Sequence, residues 1–228
     1  MTGPACFITG TDTEIGKTTL SSVIIRALVA KGFRTAAMKP VAAGAVSVDG
    51  ILHNEDVDAL VSAANVPLPT ELVCPYLLRT PISPNLSAMQ DGREIDVSHI
   101  VDCYRKIQQK ADAVVVEGVG GFLVPFSKKT SSADLAEQLK LPVIMVVGLK
   151  LGCISHALLT AEAVRARGLV LAGWIANRID PDMAFSDGNI ETLENWLDAP
   201  RLGTMPYLKS FEGAGQYLDL SLLLGWHK

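Results

Sequence analysis

The sequence predicts an α/β fold, a mainly parallel sheet flanked by helices, from three observations. Short apolar runs bounded by Gly or Pro alternate with segments of helical period. Those runs are apolar throughout rather than at every second position. Hydrophobic residues make up 49% of the 228 positions and charged ones 19%. Strands of that kind are buried on both faces, which requires helices above and below a parallel sheet.

The elements follow in chain order. Residues 5–9 read as the first strand. Residues 17–30 read as a helix, because Leu20, Val23, Ile24, Ala27 and Leu28 form one apolar stripe and Gly32 ends it. A strand at 35–38 and a helix at 56–64 come next. The stretch 66–85 carries Pro67, Pro69, Pro75, Pro81 and Pro84, so it is expected to be mostly extended loop. A helix at 95–110, strands at 113–117 and 143–147, a helix at 155–167 stopped by Gly168, a strand at 171–176 and a helix at 189–197 complete the series. Nothing splits it, so residues 1–228 are expected to form a single domain.

Composition excludes several classes of function. The net charge is −4 with no basic run, so no nucleic acid is expected as a partner. No apolar run reaches the ~18 residues a bilayer span needs, and the N-terminus is unlike a signal peptide. A soluble cytoplasmic protein without a membrane partner is therefore expected. Cys6, Cys74, Cys103 and Cys153 lie far apart with no CxxC pair, which indicates neither a zinc site nor a disulfide framework.

The chemistry begins directly after the first strand. Gly10-Thr11-Asp12-Thr13-Glu14-Ile15-Gly16-Lys17-Thr18-Thr19 opens straight into a helix. Backbone N–H groups of such a loop point at phosphate oxygens, and the helix N-terminus adds partial positive charge. The lysine neutralises phosphate, and the hydroxyl ligates magnesium. Gly16 lets the backbone approach closely, while Lys17 and Thr18 supply charge and hydroxyl. Five residues separate Gly10 from Gly16, one more than the usual phosphate-loop pattern. The order of strand, loop and helix still marks the P-loop NTPase type.

Magnesium needs hard oxygens, and the next strand-end carboxylate is Glu117, followed by Gly118, Gly120 and Gly121. It resembles a Walker B strand with Glu in place of the usual Asp. A solvated strand-end carboxylate is the competing account.

The sequence resembles the dethiobiotin synthetases along nearly its whole length. The matching stretches, in the family's order, begin with the loop Gly10 to Thr18, whose five-residue spacing is also the family's. Lys39-Pro40-Val41-Ala42-Ala43-Gly44, Asn54-Glu55-Asp56 and Ser83-Pro84 follow. Val116-Glu117-Gly118-Val119-Gly120-Gly121 and Lys150-Leu151-Gly152-Cys153-Ile154-Ser155-His156-Ala157 come next, then Gly173-Trp174-Ile175-Ala176-Asn177 and Gly203-Thr204-Met205-Pro206. The resemblance implies that 7,8-diaminopelargonate, carbon dioxide and ATP give dethiobiotin, ADP and phosphate, through a carbamate and a carbamic-phosphoric anhydride.

Carried over position by position, Lys17 would hold phosphates, and Thr18, Asp56 and Glu117 would ligate Mg2+. Lys39 would stabilise the carbamate and the charge of phosphoryl transfer, although a surface lysine at a strand end is the ordinary account of any one lysine. Glu14, Ile15, Gly16, Thr19, Gly118, Val119 and Gly120 would surround the nucleotide. Asn177 with Arg178, and Pro206, Tyr207 and Leu208, would surround the base; the last three also suit plain core and turn. Gly152, Cys153, Ile154 and Ser155 would meet the substrate carboxylate across a homodimer interface, and Ala43 lies among the substrate contacts.

Two positions depart from the family pattern. Ala43 stands where Ser or Thr is common, and Asn85 where His is common. A regulatory P-loop ATPase is the rival from another class, but such proteins carry a second lysine early in the loop, and positions 11 and 12 are Thr and Asp. Cobalamin-precursor amidoligases would need a glutaminase domain that this length does not hold.

Overall fold

The computed structural model describes residues 3–223 and residue 226. Strand β1 (Ala5–Gly10) runs through the loop 11–16 into helix α1 (Lys17–Ala30), and β2 (Thr35–Met38) follows. The chain then leaves the main sheet. It forms β3 (Val41–Ala43), the hairpin β4 (Val46–Val48) with β5 (Ile51–His53), α2 (Glu55–Ala63), α3 (Thr70–Val73), β6 (Tyr76–Leu78) and α4 (Pro84–Gln90). Helix α5 (Val97–Gln108) returns it to β7 (Ala113–Glu117). The last part alternates as α6 (Ser132–Leu139), β8 (Val143–Gly148), α7 (Cys153–Ala166), β9 (Leu171–Asn177), α8 (Ser186–Trp196) and β10 (Arg201–Met205).

Six strands form one parallel sheet in the order β10-β9-β8-β1-β7-β2. The strands are buried on both faces because alternate side chains point to opposite sides. Phe7, Met38, Val114, Val116, Met145 and Trp174 join the core on one face, with α5, α6 and α7. Cys6, Ile8, Ala37, Val115, Ile144 and Ile175 join the core on the other, with α1. No helix among the described residues is long and apolar enough to cross a membrane.

The topology itself places the site. The first strand lies mid-sheet between β7 and β8, with Ile8 beside Glu117 and Gly10 beside Val146. The loop leaving β1 therefore emerges next to the carboxyl ends of both neighbours, where ligands of open α/β sheets bind.

Three points go beyond the sequence reading. The stretch 66–85 has most of its residues outside helix and strand, as expected, but it also holds α3, β6 and the start of α4. Two of its five prolines sit at helix starts, Pro69 as the cap of α3 and Pro84 in the first turn of α4, where a missing N–H costs nothing. Helix α6 was not anticipated, although Ser131 and Asp134 form a reciprocal capping box at its start. Strand β10 was also missed. It is an edge strand without a continuous apolar run, and its Gly203 passes so close to Tyr217 that an added Cβ would lie 2.0 Å from the Tyr217 carbonyl oxygen.

Candidate active site

The loop after β1 is shaped by what lies beneath it. Ile15 is buried and fills the space above Gly148, where an added Cβ would lie 2.6 Å from Ile15 Cγ2. Gly16 takes φ 85°, a left-handed conformation that favours glycine, and caps α1. Asn177, at the end of β9, donates from Nδ2 to the Ile15 carbonyl at 2.8 Å and is 6% exposed. Its amide thus braces the loop from behind, and Oδ1 receives no donor from the described residues. Lys17 opens α1 and donates to the Asp12 carbonyl at 2.7 Å, so its ammonium spans the loop. Burial, helped by the Lys39 ammonium, pushes Lys17 down to about 8.

Beside the loop, four side chains meet, from α1, α2, β7 and the connection after β2. Thr18 Oγ1 lies 2.7 Å from both Asp56 Oδ1 and Glu117 Oε1, sharing one hydroxyl proton between two carboxylates. The Lys39 ammonium lies 2.9 Å from Asp56 Oδ2 and 2.5 Å from Glu117 Oε1. Glu117 is 0% exposed and Lys39 2%, so the first is not a solvated carboxylate nor the second a surface lysine. Burial alone would push Lys39 down, but the Glu117 and Asp56 carboxylates outweigh it and hold the ammonium above the ordinary lysine range. Asp56 is placed by Asn54, which caps α2 through Oδ1 and fixes the Ala43 carbonyl through Nδ2 at 3.1 Å.

The donor set fits a hard divalent cation. A hydroxyl and two carboxylates converge, and the second Glu117 oxygen, Oε2, is buried without a partner.

Thr18, Lys39 and Asp56 of the cluster line a cavity of about 720 Å³, and Glu117 lies behind them. Thr13, Glu14, Gly16, Lys17, Thr18 and Thr19 form one wall, and Lys39, Ala42, Ala43 and Asp56 another. Val119, Gly120 and Gly121 close it with Val124, which was not foreseen. Residues 81–84 close it on the side of α4, of which the family resemblance covers only Ser83 and Pro84. Gly118 lies behind, its N–H bonded to the Ile8 carbonyl.

Other expected positions lie outside this cavity. The Arg178 guanidinium is taken up by Ser186 and Asp187 at the start of α8. Pro206, Tyr207 and Leu208 follow β10, whose last residue Met205 pairs with Asn177, so they sit at the sheet end that carries Asn177. Gly152, Cys153, Ile154 and Ser155 form the start of α7; Cys153 is buried, and its N–H donates to the Lys150 carbonyl at 3.0 Å. A larger cavity, about 820 Å³, opens at the amino ends of β1, β8 and β9 around Cys6, Ile144 and Leu171, and contains none of the cluster.

The family model described as an AAA domain matches residues 5–214. An ATP-dependent dethiobiotin synthetase BioD from Janthinobacterium sp. (strain Marseille) is 52% identical over 98% of this chain and 97% of its own length. Among solved structures, the MinD cell division protein of Aquifex aeolicus is similar with a TM-score of 0.59 at 16% identity, covering 96% of this chain and 89% of that one. The septum site-determining protein MinD of Pyrococcus horikoshii OT3, complexed with Mg-ADP, gives 0.59 at 17% identity, covering 96% and 87%. At such identities the likeness to these division-site proteins is one of fold alone.

Proposed function

The chain belongs to the dethiobiotin synthetase family, and on that premise we propose that it carboxylates 7,8-diaminopelargonate and closes the ureido ring at the expense of ATP. The observation that carries this reading is the buried Lys39 ammonium inside the cavity that the phosphate loop lines. A regulatory P-loop ATPase carries its second lysine early in the loop, where this chain has Thr11 and Asp12; here the second buried ammonium comes instead from Lys39, after β2.

The residues divide the work. The loop N–H groups and Lys17 hold the polyphosphate of ATP, while Asn177 Oδ1 is free to accept from an amino group of the base. Thr18, Asp56 and Glu117 would hold Mg2+, which when bound neutralises phosphate charge. One substrate amine captures carbon dioxide as a carbamate and loses a proton. The carbamate oxygen takes the γ-phosphoryl group and ADP leaves. The second amine then attacks the carbonyl carbon, expels phosphate and closes the ring. The Glu117 and Asp56 carboxylates favour the charged form of Lys39. It offers a preorganised positive charge to the carbamate and to the transferring phosphoryl group.

The start of α7 suits a carboxylate, because first-turn N–H groups have no partner within the helix. Leu151 beside it is 98% exposed and Leu159 further along α7 is 62% exposed. Apolar surface so placed supports a homodimer in which Gly152, Cys153, Ile154 and Ser155 of each copy face the other's substrate.

The test is an omission series with purified protein, following ADP release and dethiobiotin by mass. ADP release should need ATP, Mg2+, bicarbonate and the diamine together. ADP release that ignores both diamine and bicarbonate would overturn the synthetase reading while sparing the phosphate loop.

A further inference from the structure

Asp12 poses an electrostatic problem, since it places a carboxylate inside a loop built to bind polyphosphate. Left uncompensated, it would repel the phosphates that Lys17 attracts. The compensating charge comes from outside the loop. Lys150, in the turn between β8 and α7, donates to Asp12 Oδ2 at 2.5 Å. Oδ1 of the same carboxylate accepts the Thr13 N–H at 2.8 Å, and the Asp12 carbonyl receives the Lys17 ammonium at 2.7 Å.

Asp12 is therefore a three-way joint. Its side chain ties the loop to the end of a neighbouring strand, and its carbonyl sets where the phosphate-binding ammonium rests. The Lys150 hydrogen bond holds the Asp12 carboxyl below its usual range, so Asp12 stays ionised at neutral pH. Both side chains are about 40% exposed, and at that exposure an ion pair adds little to folding stability.

We propose that Lys150 is a positioning residue for the nucleotide: it cancels the Asp12 charge and fixes the first half of the phosphate loop, without touching a reacting atom. The inference rests on the nucleotide reading of the loop and not on the identity of the amine substrate. It also gives Lys150 a role at the root of the segment Leu151 to Ser155, so that the phosphate loop and the proposed carboxylate-binding turn share one anchor.

The experiment measures Mg-ADP affinity, which needs no turnover and no diamine, together with thermal midpoints on the full chain. Lys150→Met should raise the dissociation constant about fivefold, the effect of one uncompensated charge at this range in a medium of intermediate dielectric, and leave the midpoint nearly unchanged. Lys150→Arg should stay within about twofold of wild type, because it keeps the charge. The informative variant is Asp12→Asn combined with Lys150→Met. With no carboxylate left to cancel, affinity should return toward wild type, and the Lys150→Met defect should shrink at high salt.

Unchanged affinity in Lys150→Met overturns the inference, and so does a double variant as weak as the single one, since a lysine with only a packing role gives no such recovery. A wild-type chain that fails to bind Mg-ADP overturns the nucleotide site itself and this inference with it. Loss of the diamine reaction alone would overturn the synthetase reading and leave Lys150 in place.

Discussion

Lys39 and Glu117 form an ion pair shut off from water, with Nζ 2.5 Å from Oε1 and side chains 3% and 0% exposed. Removing one partner of such a pair strands the other as a buried charge, at a cost of about 3–5 kcal/mol. Lys39→Met should lose roughly that much stability in urea unfolding, and adding Glu117→Gln should restore most of it. Strictly additive losses in the double variant would show that the two residues do not depend on each other.

The same lysine separates two functions. Lys39→Ala should keep Mg-ADP binding within about tenfold, because Lys17 and the loop N–H groups remain, while ring closure falls by roughly 10²–10³ for want of the preorganised charge. Read well below the unfolding temperature, equal losses in binding and turnover would make Lys39 a nucleotide residue instead.

Gly16 admits no side chain. At φ 85° a Cβ there would lie 2.3 Å from Asn177 Nδ2, so Gly16→Ala meets both backbone strain and a collision with the loop's brace. Mg-ADP affinity should fall at least tenfold. Asn177→Ala added to Gly16→Ala should recover only the part due to collision. Full recovery would show that the left-handed conformation is not required.

The five predicted strands and the phosphate loop were legible because each is a local pattern, an apolar run or a fixed spacing, that does not depend on the rest of the chain. The state of Glu117 was not. A strand-end acid looks the same whether solvated or buried, and what decides it is Lys39, 78 residues away. Thr18 likewise meets Asp56 across 38 residues. Asn177 could be placed near the nucleotide by resemblance, but its bond to the Ile15 carbonyl spans 162 residues and follows only from β9 and the loop sharing one end of the sheet. In 66–85 the count of prolines announced the loop, whereas the places of Pro69 and Pro84 at helix starts, which admit α3 and α4, were not conspicuous.

Lys17 makes nucleotide binding depend on pH. Burial and Lys39 bring its ammonium from the ordinary 10.5 to about 8, and bound phosphate favours the charged form and raises it again. Above pH 8 the free site has shed a proton that the complex retains, so binding takes one up and affinity falls as pH rises. Below about pH 7 the profile should be flat. Folding responds with the opposite sign: the burial penalty on this ammonium is fully present below pH 8 and fades as pH climbs to the ordinary lysine value. Calorimetry with ADP in EDTA at pH 8.5, in buffers of different ionisation enthalpy, should show proton uptake that Lys17→Arg abolishes, since arginine stays charged. Uptake that persists in Lys17→Arg would assign the proton elsewhere.

Ala43 is the departure from the family pattern that lies on the cavity wall. It is half-buried in β3, and its backbone is pinned by the Asn54 amide at 3.1 Å, so a small side chain there projects from a fixed base. Ala43→Ser adds one hydroxyl to the wall that Ala43 shares with Lys39 and Asp56. If that wall touches the diamine, one added hydrogen bond of about 1 kcal/mol should lower its KM roughly fivefold and leave kcat and Mg-ADP affinity unchanged. A KM that does not move would place the diamine away from this wall. A loss of Mg-ADP affinity would place Ala43 against the nucleotide instead.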